Sequence, residues 1–345
     1  MDKVSTVGLD LAKSVFQLHG ADAKGAVVFR KKLRQDRLLV FFSELHHCLV
    51  AMEACASAHH SAREIGKFGH EVRLIPPAYV KPFVKRGKTD AADAEAICEA
   101  FTRPMMSFVT VKSRDQQAIM SLHRTRSLLV KQRTQSINMM RAILAEFGIN
   151  IPEGLERALQ LARQTAAERS QDVPEAAGAM VEILAQQALN THSQILDIDR
   201  RLMRLQQSDE VAQRLATIPG IGPVGATALA AAVADPTQFR SGRHFAAWLG
   251  LTPLQNSSGG KEQQGGISKM GDKYLRRLLV IGVTSLVRRA KYQPETADPR
   301  LVALLAGKPV RVATVVMANK MARIVWAILL RGGVYERCHA PMLAA

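Results

Sequence analysis

The sequence predicts an α/β N-terminal domain, a helical middle segment and a mostly α-helical C-terminal domain. Short apolar runs bounded by turn residues alternate with helical patterns near the N-terminus. Helix breakers are rare in the middle of the chain, and Gly- and Pro-rich stretches separate shorter helical patterns after it. A chain of 345 residues is long enough for several hydrophobic cores. We therefore expect three domains, at residues 1–113, 114–210 and 211–335.

The N-terminal pattern is that of a mixed sheet with helices. The predicted strands cover residues 4–9, 15–20, 26–33, 48–52 and 71–75, and the predicted helices cover residues 37–46, 57–68 and 90–101. Thr89 is the predicted N-cap of the last helix, because its hydroxyl can accept a bond from a first-turn N–H. Periodicity alone specifies only an α/β fold. Three consecutive strands followed by alternating helices and strands, however, is the order of an RNase H-like sheet.

The middle of the chain contains two long helical patterns, at residues 114–147 and 155–207, with a break in the second near Val173 and Pro174. Apolar residues of the second pattern form an approximate heptad stripe: Ile183, Leu184, Leu189, Ile195, Leu196, Ile198, Leu202 and Leu205. Such a stripe is typical of a coiled-coil arm that joins two chains. It is equally typical of an antiparallel helical hairpin within one chain.

The charge of the chain indicates a polyanionic partner. The net charge is +17 and the pI is about 10.1. From Pro236 to the last residue there are 17 Lys and Arg residues and only 5 Asp and Glu residues. We expect nucleic acid rather than an anionic membrane, since no amphipathic anchor or lipidation motif is evident. An aromatic content of 5% argues against a base-stacking single-strand binder.

Cysteine usage and apolar runs exclude several other classes. The four cysteines, at positions 48, 55, 98 and 338, form no CxxC pair, which argues against structural zinc and a disulfide framework. The first residues lack the apolar region of a signal peptide. The longest apolar runs are also shorter than the roughly 20 residues of a membrane span. We expect a cytoplasmic protein without a membrane partner.

Four carboxylates stand where a metal site of an α/β protein would form. Asp10 and Glu53 follow two apolar strands that are predicted neighbours, and Asp90 and Asp93 are three apart at a helix start. If these groups converge, they repel one another unless cations neutralise them. Hard oxygen ligands select Mg²⁺ or Mn²⁺, and a pair of such ions can clamp the attacking and leaving oxygens of a phosphodiester.

A helix-hairpin-helix is predicted around Ile218-Pro219-Gly220-Ile221-Gly222. Gly220 and Gly222 would let backbone N–H groups approach a DNA phosphate, with the start of the following helix pointing at it. Such contacts position DNA without reading its sequence. A plain turn between two helices is the alternative.

The motifs VGLDLAKSVFQLH, AMEACAS and RGKTDAADAEAI resemble the N-terminal motifs of the DEDD transposases of the IS110 insertion-sequence family, and in particular its IS1111 branch. Residues 245–253 and the pattern from Gly266 to Arg277 are similar to the C-terminal domain of that family. The resemblance implies a RuvC-like fold, with Asp10, Glu53, Asp90 and Asp93 binding Mg²⁺. One departure is Cys55-Ala56, where many relatives have Thr-Gly.

The same resemblance implies a serine nucleophile shortly after Thr252 and Pro253. Ser258 occupies that place, and Ser257 is the adjacent alternative. Serine needs a polarised phosphate to react, and nearby cations would neutralise the developing charge. The candidate cations are Lys261, Lys269, Lys273, Arg276 and Arg277. The resemblance further implies site-specific DNA recombination through a serine–DNA intermediate, guidance by a structured "bridge" RNA, and action as a homodimer or homotetramer.

Three alternatives stay open. A RuvC-like nuclease would use the carboxylates and water, without the serine. A sugar-kinase or actin-like ATPase has a similar first strand, but it leaves the Asp-x-x-Asp pair and the charge unexplained. A non-catalytic nucleic-acid scaffold would bind tightly and in a salt-sensitive way, without metal-dependent chemistry.

Overall fold

A computed structural model of the chain describes residues 3–11, 15–84, 89–167, 172–257 and 263–336. The chain forms two compact units, Met1–Gln117 and Ala118–Ala345. The first unit is α/β and the second is mostly helical, as the sequence predicts. The finer division at residues 113 and 210 stays a prediction.

The first unit is built on a five-stranded sheet with the order β3-β2-β1-β4-β5. The strands are β1 (Thr6–Asp10), β2 (Val15–Ala21), β3 (Val27–Arg34), β4 (Leu49–Glu53) and β5 (Glu71–Ile75). The helices are α1 (Gln35–Glu44), α2 (Ala58–Gly66), α3 (Pro77–Val80) and α4 (Asp90–Phe101). β1, β2 and β3 pair antiparallel, whereas β4 pairs parallel with β1 and with β5. This mixed sheet is compatible with an RNase H-like fold.

The centre of the sheet is covered on both faces. Val7, Leu9, Val50 and Met52 belong to the core on one face of the sheet and Ala51 belongs to the core on the other face, and none of the five has exposed surface. β3 lies at the edge, and its exposed residues include alternating basic side chains that discourage pairing with another chain. In the central pair, Leu9 of β1 lies beside Met52 of β4, so both strands end at the same edge of the sheet.

Helix α4 has the predicted bounds and the predicted cap. The Thr89 hydroxyl accepts a hydrogen bond from the Ala92 N–H at 3.3 Å. The helix packs closely on β1 because position 8 is a glycine. A Cβ there would clash with the Ala94 carbonyl oxygen and would lie 2.8 Å from the Cys98 Cβ. Gly8 therefore sets how near the start of α4 comes to the end of β1.

The second unit is helical apart from a short two-stranded sheet. Its helices are α5 (Arg114–Glu146, which begins in the first unit), α6 (Leu155–Ala167), α7 (Glu175–Ser208), α8 (Glu210–Ala216), α9 (Pro223–Ala232), α10 (Gly242–Trp248), α11 (Lys273–Tyr292), α12 (Pro299–Gly307) and α13 (Val310–Arg331). The strands are β6 (Pro253–Gln255) and β7 (Gln264–Ile267), which pair antiparallel. The largest core of this unit includes buried residues of α8 to α13.

Helices α5 and α7 run antiparallel within the chain. Arg126 forms an ion pair with Asp199, and Arg133 Nη1 lies 2.8 Å from His192 Nδ1. The later residue of α5 thus contacts the earlier residue of α7, which is the order of an antiparallel pair. The residues of the heptad stripe differ in exposure: Ile195 is buried, while Ile183 is 59% exposed. The structure thus shows an antiparallel pairing within the chain, and a coiled-coil contact between two chains stays a prediction.

The segment between α10 and α11, for which the sequence analysis gives no strand, contains the β6–β7 ribbon. Its Gly, Ser and Gln residues have no apolar alternation, so periodicity did not indicate strands. Gly271 helps to close the segment on α10: its φ is 77°, and a Cβ would clash with the Trp248 carbonyl oxygen. A backbone approach of this kind is open to glycine alone.

One described helix, α13, is long and apolar enough to cross a membrane, with a mean hydropathy of 1.5 in its most apolar window. Ala313, Met317, Met321 and Val325 of this helix are buried in the protein. A core helix passes the same test of length and composition, so α13 is weak evidence for a membrane span.

Candidate metal centre and nucleic-acid interface

Three of the four predicted carboxylates meet at the edge of the sheet. Asp10 is the last residue of β1, and Asp90 and Asp93 lie in the first turn of α4. Oxygen atoms of these three side chains all lie within 4.8 Å of one another. Among the described residues, this is the group of acidic, His or Cys side chains with the spacing of a metal site.

Local structure explains why the three groups converge. The Thr89 cap starts α4 at Asp90, and the three-residue spacing places Asp93 on the same side of the first turn. The close approach of α4 to β1 at Gly8 then brings this turn to the strand end. Acids in a first turn are favourable for the helix itself, but that effect does not account for the third carboxylate, Asp10.

The electrostatics of the cluster suit a bound cation. The pKa of Asp10 is raised to about 6, first by partial burial and then by the negative charges of Asp93, Asp90 and Glu53. A hydrogen bond from the Leu11 backbone lowers the pKa, but it does not offset these effects. The protein thus holds like charges together at a free-energy cost that a cation would remove. Carboxylate oxygens are hard ligands, so the residues present fit Mg²⁺ or Mn²⁺.

Glu53 occupies the predicted place at the end of β4, next to β1 in the sheet. It is near enough to raise the pKa of Asp10. Its carboxylate is not part of the 4.8 Å group that the described residues form. Glu53 therefore lies at the same edge of the sheet as the three aspartates, but outside the group whose oxygen atoms lie within 4.8 Å of one another.

The predicted helix-hairpin-helix corresponds to α8, a short connection and α9. Gly222 is the N-cap of α9 and is exposed, with open space where a Cβ would be. Gly220 has a φ of 88°, and a Cβ there would lie 2.9 Å from the Gly282 carbonyl oxygen of α11. Gly220 therefore has a packing role in addition to the predicted one. Phosphate binding at Gly220 and Gly222 stays a prediction.

The predicted cations of the C-terminal unit differ in their surroundings. Arg276 Nη1 donates hydrogen bonds to the carbonyl oxygens of Leu249 at 2.8 Å and Met270 at 3.0 Å, so it ties α11 to the preceding segment. Lys269, Lys273 and Arg277 are exposed.

Of the two predicted serines, the structure describes Ser257. Ser257 is exposed and follows the strand by two residues. Ser258 and Lys261 lie outside the described residues. The choice of Ser258 as nucleophile therefore rests on the sequence motif.

Sequence reasoning missed a buried polar network in the second unit. His123 of α5 is fully buried, with Nδ1 3.0 Å from the Tyr274 hydroxyl and Nε2 3.1 Å from the Thr227 hydroxyl. Burial, and to a smaller degree the charge of Arg126, lower the pKa of His123 to about 4, so the ring is neutral. The network joins α5, α9 and α11. A histidine within a polar helical pattern gave no signal of this role.

Comparisons with known proteins agree with these features. Residues 7–149 match a family model described as a transposase of the DEDD IS110 type, and residues 212–298 match the model "Transposase IS116/IS110/IS902 family". The chain is 45% identical to a probable family 20 transposase of Pseudomonas aeruginosa, over 98% of this chain and 99% of the relative.

Two further relatives extend the similarity. The transposase for insertion sequence element IS1328 of Yersinia enterocolitica is 42% identical over 98% of this chain and all of its own length. The transposase for IS1111A of Coxiella burnetii is 36% identical over 99% of this chain and 93% of its own. Full-length similarity at this level, together with the two matching models, shows that the chain belongs to the IS116/IS110/IS902 family of transposases.

Proposed function

We propose that the chain moves an insertion sequence by breaking and rejoining DNA strands at a metal centre formed by Asp10, Asp90 and Asp93. The observation that carries this proposal is the convergence of the three carboxylates within 4.8 Å. The net charge of +17 supports DNA as the substrate, since a basic protein attracts a polyanion. The relatives from Yersinia enterocolitica and Coxiella burnetii are named as transposases of insertion sequence elements, which agrees with this function.

The three aspartates would hold Mg²⁺ or Mn²⁺, and Glu53 would adjust the charge beside them. When bound, such an ion polarises a phosphoryl oxygen and stabilises negative charge on the leaving oxygen. The task of the protein is to hold these carboxylates ionised and close together. Thr89 and Gly8 serve this task by fixing the start of α4 against β1.

In the proposed reaction, Ser258 Oγ attacks the phosphorus of the scissile phosphodiester. A bond forms from Oγ to phosphorus, and the bond from phosphorus to the 3′ oxygen breaks. The serine hydroxyl gives up its proton, and the leaving 3′ oxygen takes up a proton. The products are a phosphoserine–DNA link and a free 3′ hydroxyl. A second 3′ hydroxyl then attacks the same phosphorus and releases the serine with its proton. Phosphodiester bonds are conserved, so no nucleotide hydrolysis is needed.

The test is a search for covalent protein–DNA adducts on denaturing gels, with DNA that carries the element and its flanks. In Mg²⁺, the wild-type chain should form an adduct, and Ser258→Ala should form none. Ser257→Ala is the matched control and should keep the adduct. Asp93→Asn should lose it, whereas Glu99→Gln, which changes a half-buried acid of the same helix that pairs with Arg103 outside the cluster, should not. Adducts formed by Ser258→Ala at the wild-type level would exclude Ser258 as the nucleophile.

The same assay distinguishes the nuclease alternative. A carboxylate centre that activates water would still cut DNA in the Ser258→Ala variant, but without any covalent link. Full activity of Asp10→Asn and Asp93→Asn would instead exclude the carboxylate centre itself.

We also propose a structured guide RNA as a second partner and a homodimer or homotetramer as the active form. The basic charge suits RNA as well as DNA. Purification of the chain from cells that also express the element's flanking non-coding DNA, followed by sequencing of bound RNA, tests the guide. Light scattering with and without that RNA tests the assembly. Recovery of unrelated RNAs alone would contradict the guide proposal.

A further inference from the structure

The first strand of the β6–β7 ribbon leads directly to the proposed nucleophile. Residues 253–257 are all exposed, and Ser258, which lies outside the described residues, comes next in the sequence. Just before the ribbon, Leu251 is buried in the core of the second unit. The direction in which the ribbon leaves this core is therefore set at residues 249–252 and 268–271, which we call the root of the ribbon.

The backbone of the root is held in one geometry. The Ser268 N–H donates a hydrogen bond to the Thr252 carbonyl oxygen at 2.8 Å. The Lys269 N–H donates to the Gly250 carbonyl oxygen at 3.1 Å. Lys269 also has a φ of 54°, a left-handed conformation that residues other than glycine rarely adopt. Such a conformation persists where the surrounding structure enforces it, so the contacts at the root are strong enough to hold a strained residue.

Two side chains of the core helices bond to this root. Arg276 of α11 donates from Nη1 to the carbonyl oxygens of Leu249 at 2.8 Å and Met270 at 3.0 Å. One guanidinium nitrogen thus joins the two chain segments of the root. Asn319 of α13 donates from Nδ2 to the Leu251 carbonyl oxygen at 3.1 Å. Hydrogen bonds from a charged donor are stronger than those from a neutral one, so Arg276 makes the larger contribution.

The sequence suggested another role for Arg276, the neutralisation of charge on a phosphate. Its neighbours on α11, Lys273 and Arg277, are exposed and suit that role. Arg276 is half-buried, and its Nη1 already bonds to two carbonyl oxygens. Because a nitrogen of this group carries two hydrogens, donation from Nη1 to a phosphate would break one of these bonds. The contacts of Arg276 therefore favour a role in the geometry of the ribbon.

We propose that Arg276 and Asn319 are positioning residues, which act on the proposed DNA cleavage by fixing the root of the ribbon. This inference rests on the proposed function, in which Ser258 attacks DNA. Attack requires aligned reacting atoms, and a misplacement of about 1 Å can slow a reaction about 100-fold. A small change of angle at the root displaces the far end of the ribbon most. The bonds at the root should therefore control the rate of cleavage and leave the affinity for DNA unchanged.

The test separates the rate of adduct formation from DNA binding. Arg276→Gln removes one charge and both bonds to the root, and Arg288→Gln is the matched control at an exposed position of the same helix. At saturating DNA in Mg²⁺, Arg276→Gln should form the adduct about 10- to 100-fold more slowly than the wild type, and Arg288→Gln should keep the wild-type rate. In EDTA, the slope of log K against log [salt] should be the same for Arg276→Gln and the wild type. A slope flattened by about 0.9 in Arg276→Gln would indicate a lost phosphate contact and would overturn the proposal.

Hydrogen exchange of the full chain without DNA tests the root itself. The Ser268 and Lys269 amides should exchange about 10-fold faster in Arg276→Gln and about 5-fold faster in Asn319→Ala, which loses one neutral bond. The amide of Val325, in the buried core of α13, should keep its wild-type rate in both variants. Asn319→Ala makes the smaller change, so it keeps the test valid if Arg276→Gln unfolds. Unchanged exchange at the root in a folded variant would overturn the proposal.

The two readouts also distinguish this proposal from the proposed function. Wild-type adduct formation by Ser258→Ala would remove the nucleophile on which the proposal rests. Faster exchange at the root combined with a wild-type rate of adduct formation, in Arg276→Gln and in Asn319→Ala, would overturn the positioning role alone. The result expected is faster exchange at the root, slower adduct formation and an unchanged salt dependence in both variants.

Discussion

Asp10 carries the strongest electrostatic perturbation among the described acids, with its pKa raised to about 6 by burial and by three neighbouring carboxylates. An acid that merely ends a strand gains no stability from three other carboxylates beside it, because like charges repel. The cluster is therefore a feature that is costly for the metal-free fold and useful only with a cation, as is common at functional sites.

Asp10→Asn should consequently stabilise the metal-free chain while removing its response to metal. The amide keeps the shape of the side chain and removes the repulsion, a gain of roughly 1 kcal/mol after allowance for solvent screening. Thermal unfolding in EDTA, and again with Mn²⁺, measures both effects. Asp36→Asn, an exposed first-turn acid of α1, is the control and should not become more stable. A less stable Asp10→Asn variant in EDTA would contradict the repulsion argument.

His123 gives the second prediction at this scale. Its pKa is about 4 in the folded chain and 6.5 without burial, so the unfolded chain takes up a proton first as the pH falls. The neutral buried ring makes its full contribution to the free energy of unfolding above about pH 6.5. This contribution is lost as the pH falls towards 4, and the loss is up to about 3 kcal/mol. Denaturant unfolding followed by tryptophan fluorescence measures it, because Trp248 and Trp326 are both in the second unit.

The variant His123→Gln should lose that part of the acid sensitivity, although it will be less stable at neutral pH. The comparison is the change in free energy of unfolding between pH 7 and pH 5 in each protein. His244→Gln, an exposed histidine of the same unit, should retain the wild-type change. An identical pH dependence in wild type and His123→Gln would show that the buried ring does not control it.

At the scale of elements, the contact between β1 and α4 decides whether the candidate site forms. Helix α4 was predictable to the residue, because Thr89 and the acids that follow are local signals of a helix start. Its distance from β1 was not predictable, because it depends on the absence of a side chain at Gly8, far away in the sequence. The β6–β7 ribbon was missed for a similar reason: backbone pairing holds it, and no apolar pattern marks it.

Gly8→Ala should push α4 away from β1. Inserting a methyl group against the Ala94 carbonyl costs about 1–3 kcal/mol of stability, and it should weaken metal binding as Asp90 and Asp93 move from Asp10. Gly66→Ala is the control, since that helical glycine has open space around it and alanine should stabilise the helix by up to about 1 kcal/mol. Equal metal affinity in wild type and Gly8→Ala would contradict the role of this contact.

At the scale of the whole molecule, composition predicted more of the function than of the architecture. The charge of +17 indicated a nucleic-acid partner, and the strand order indicated which edge of the sheet the acids share. Sequence did not decide between a hairpin and a coiled coil for α5 and α7, because a heptad stripe fits either. The structure shows the antiparallel pairing within the chain through contacts such as Arg126 with Asp199, which no periodicity reveals.

The central claim is that the acids of the first unit form a cation site, and calorimetric titration of Mn²⁺ into the full-length chain tests it most directly. The account predicts saturable uptake by the wild type, its loss in Asp93→Asn and its retention in Glu99→Gln, which alters the same helix away from the cluster. Absence of uptake by the wild type, with and without bound DNA, would contradict the account.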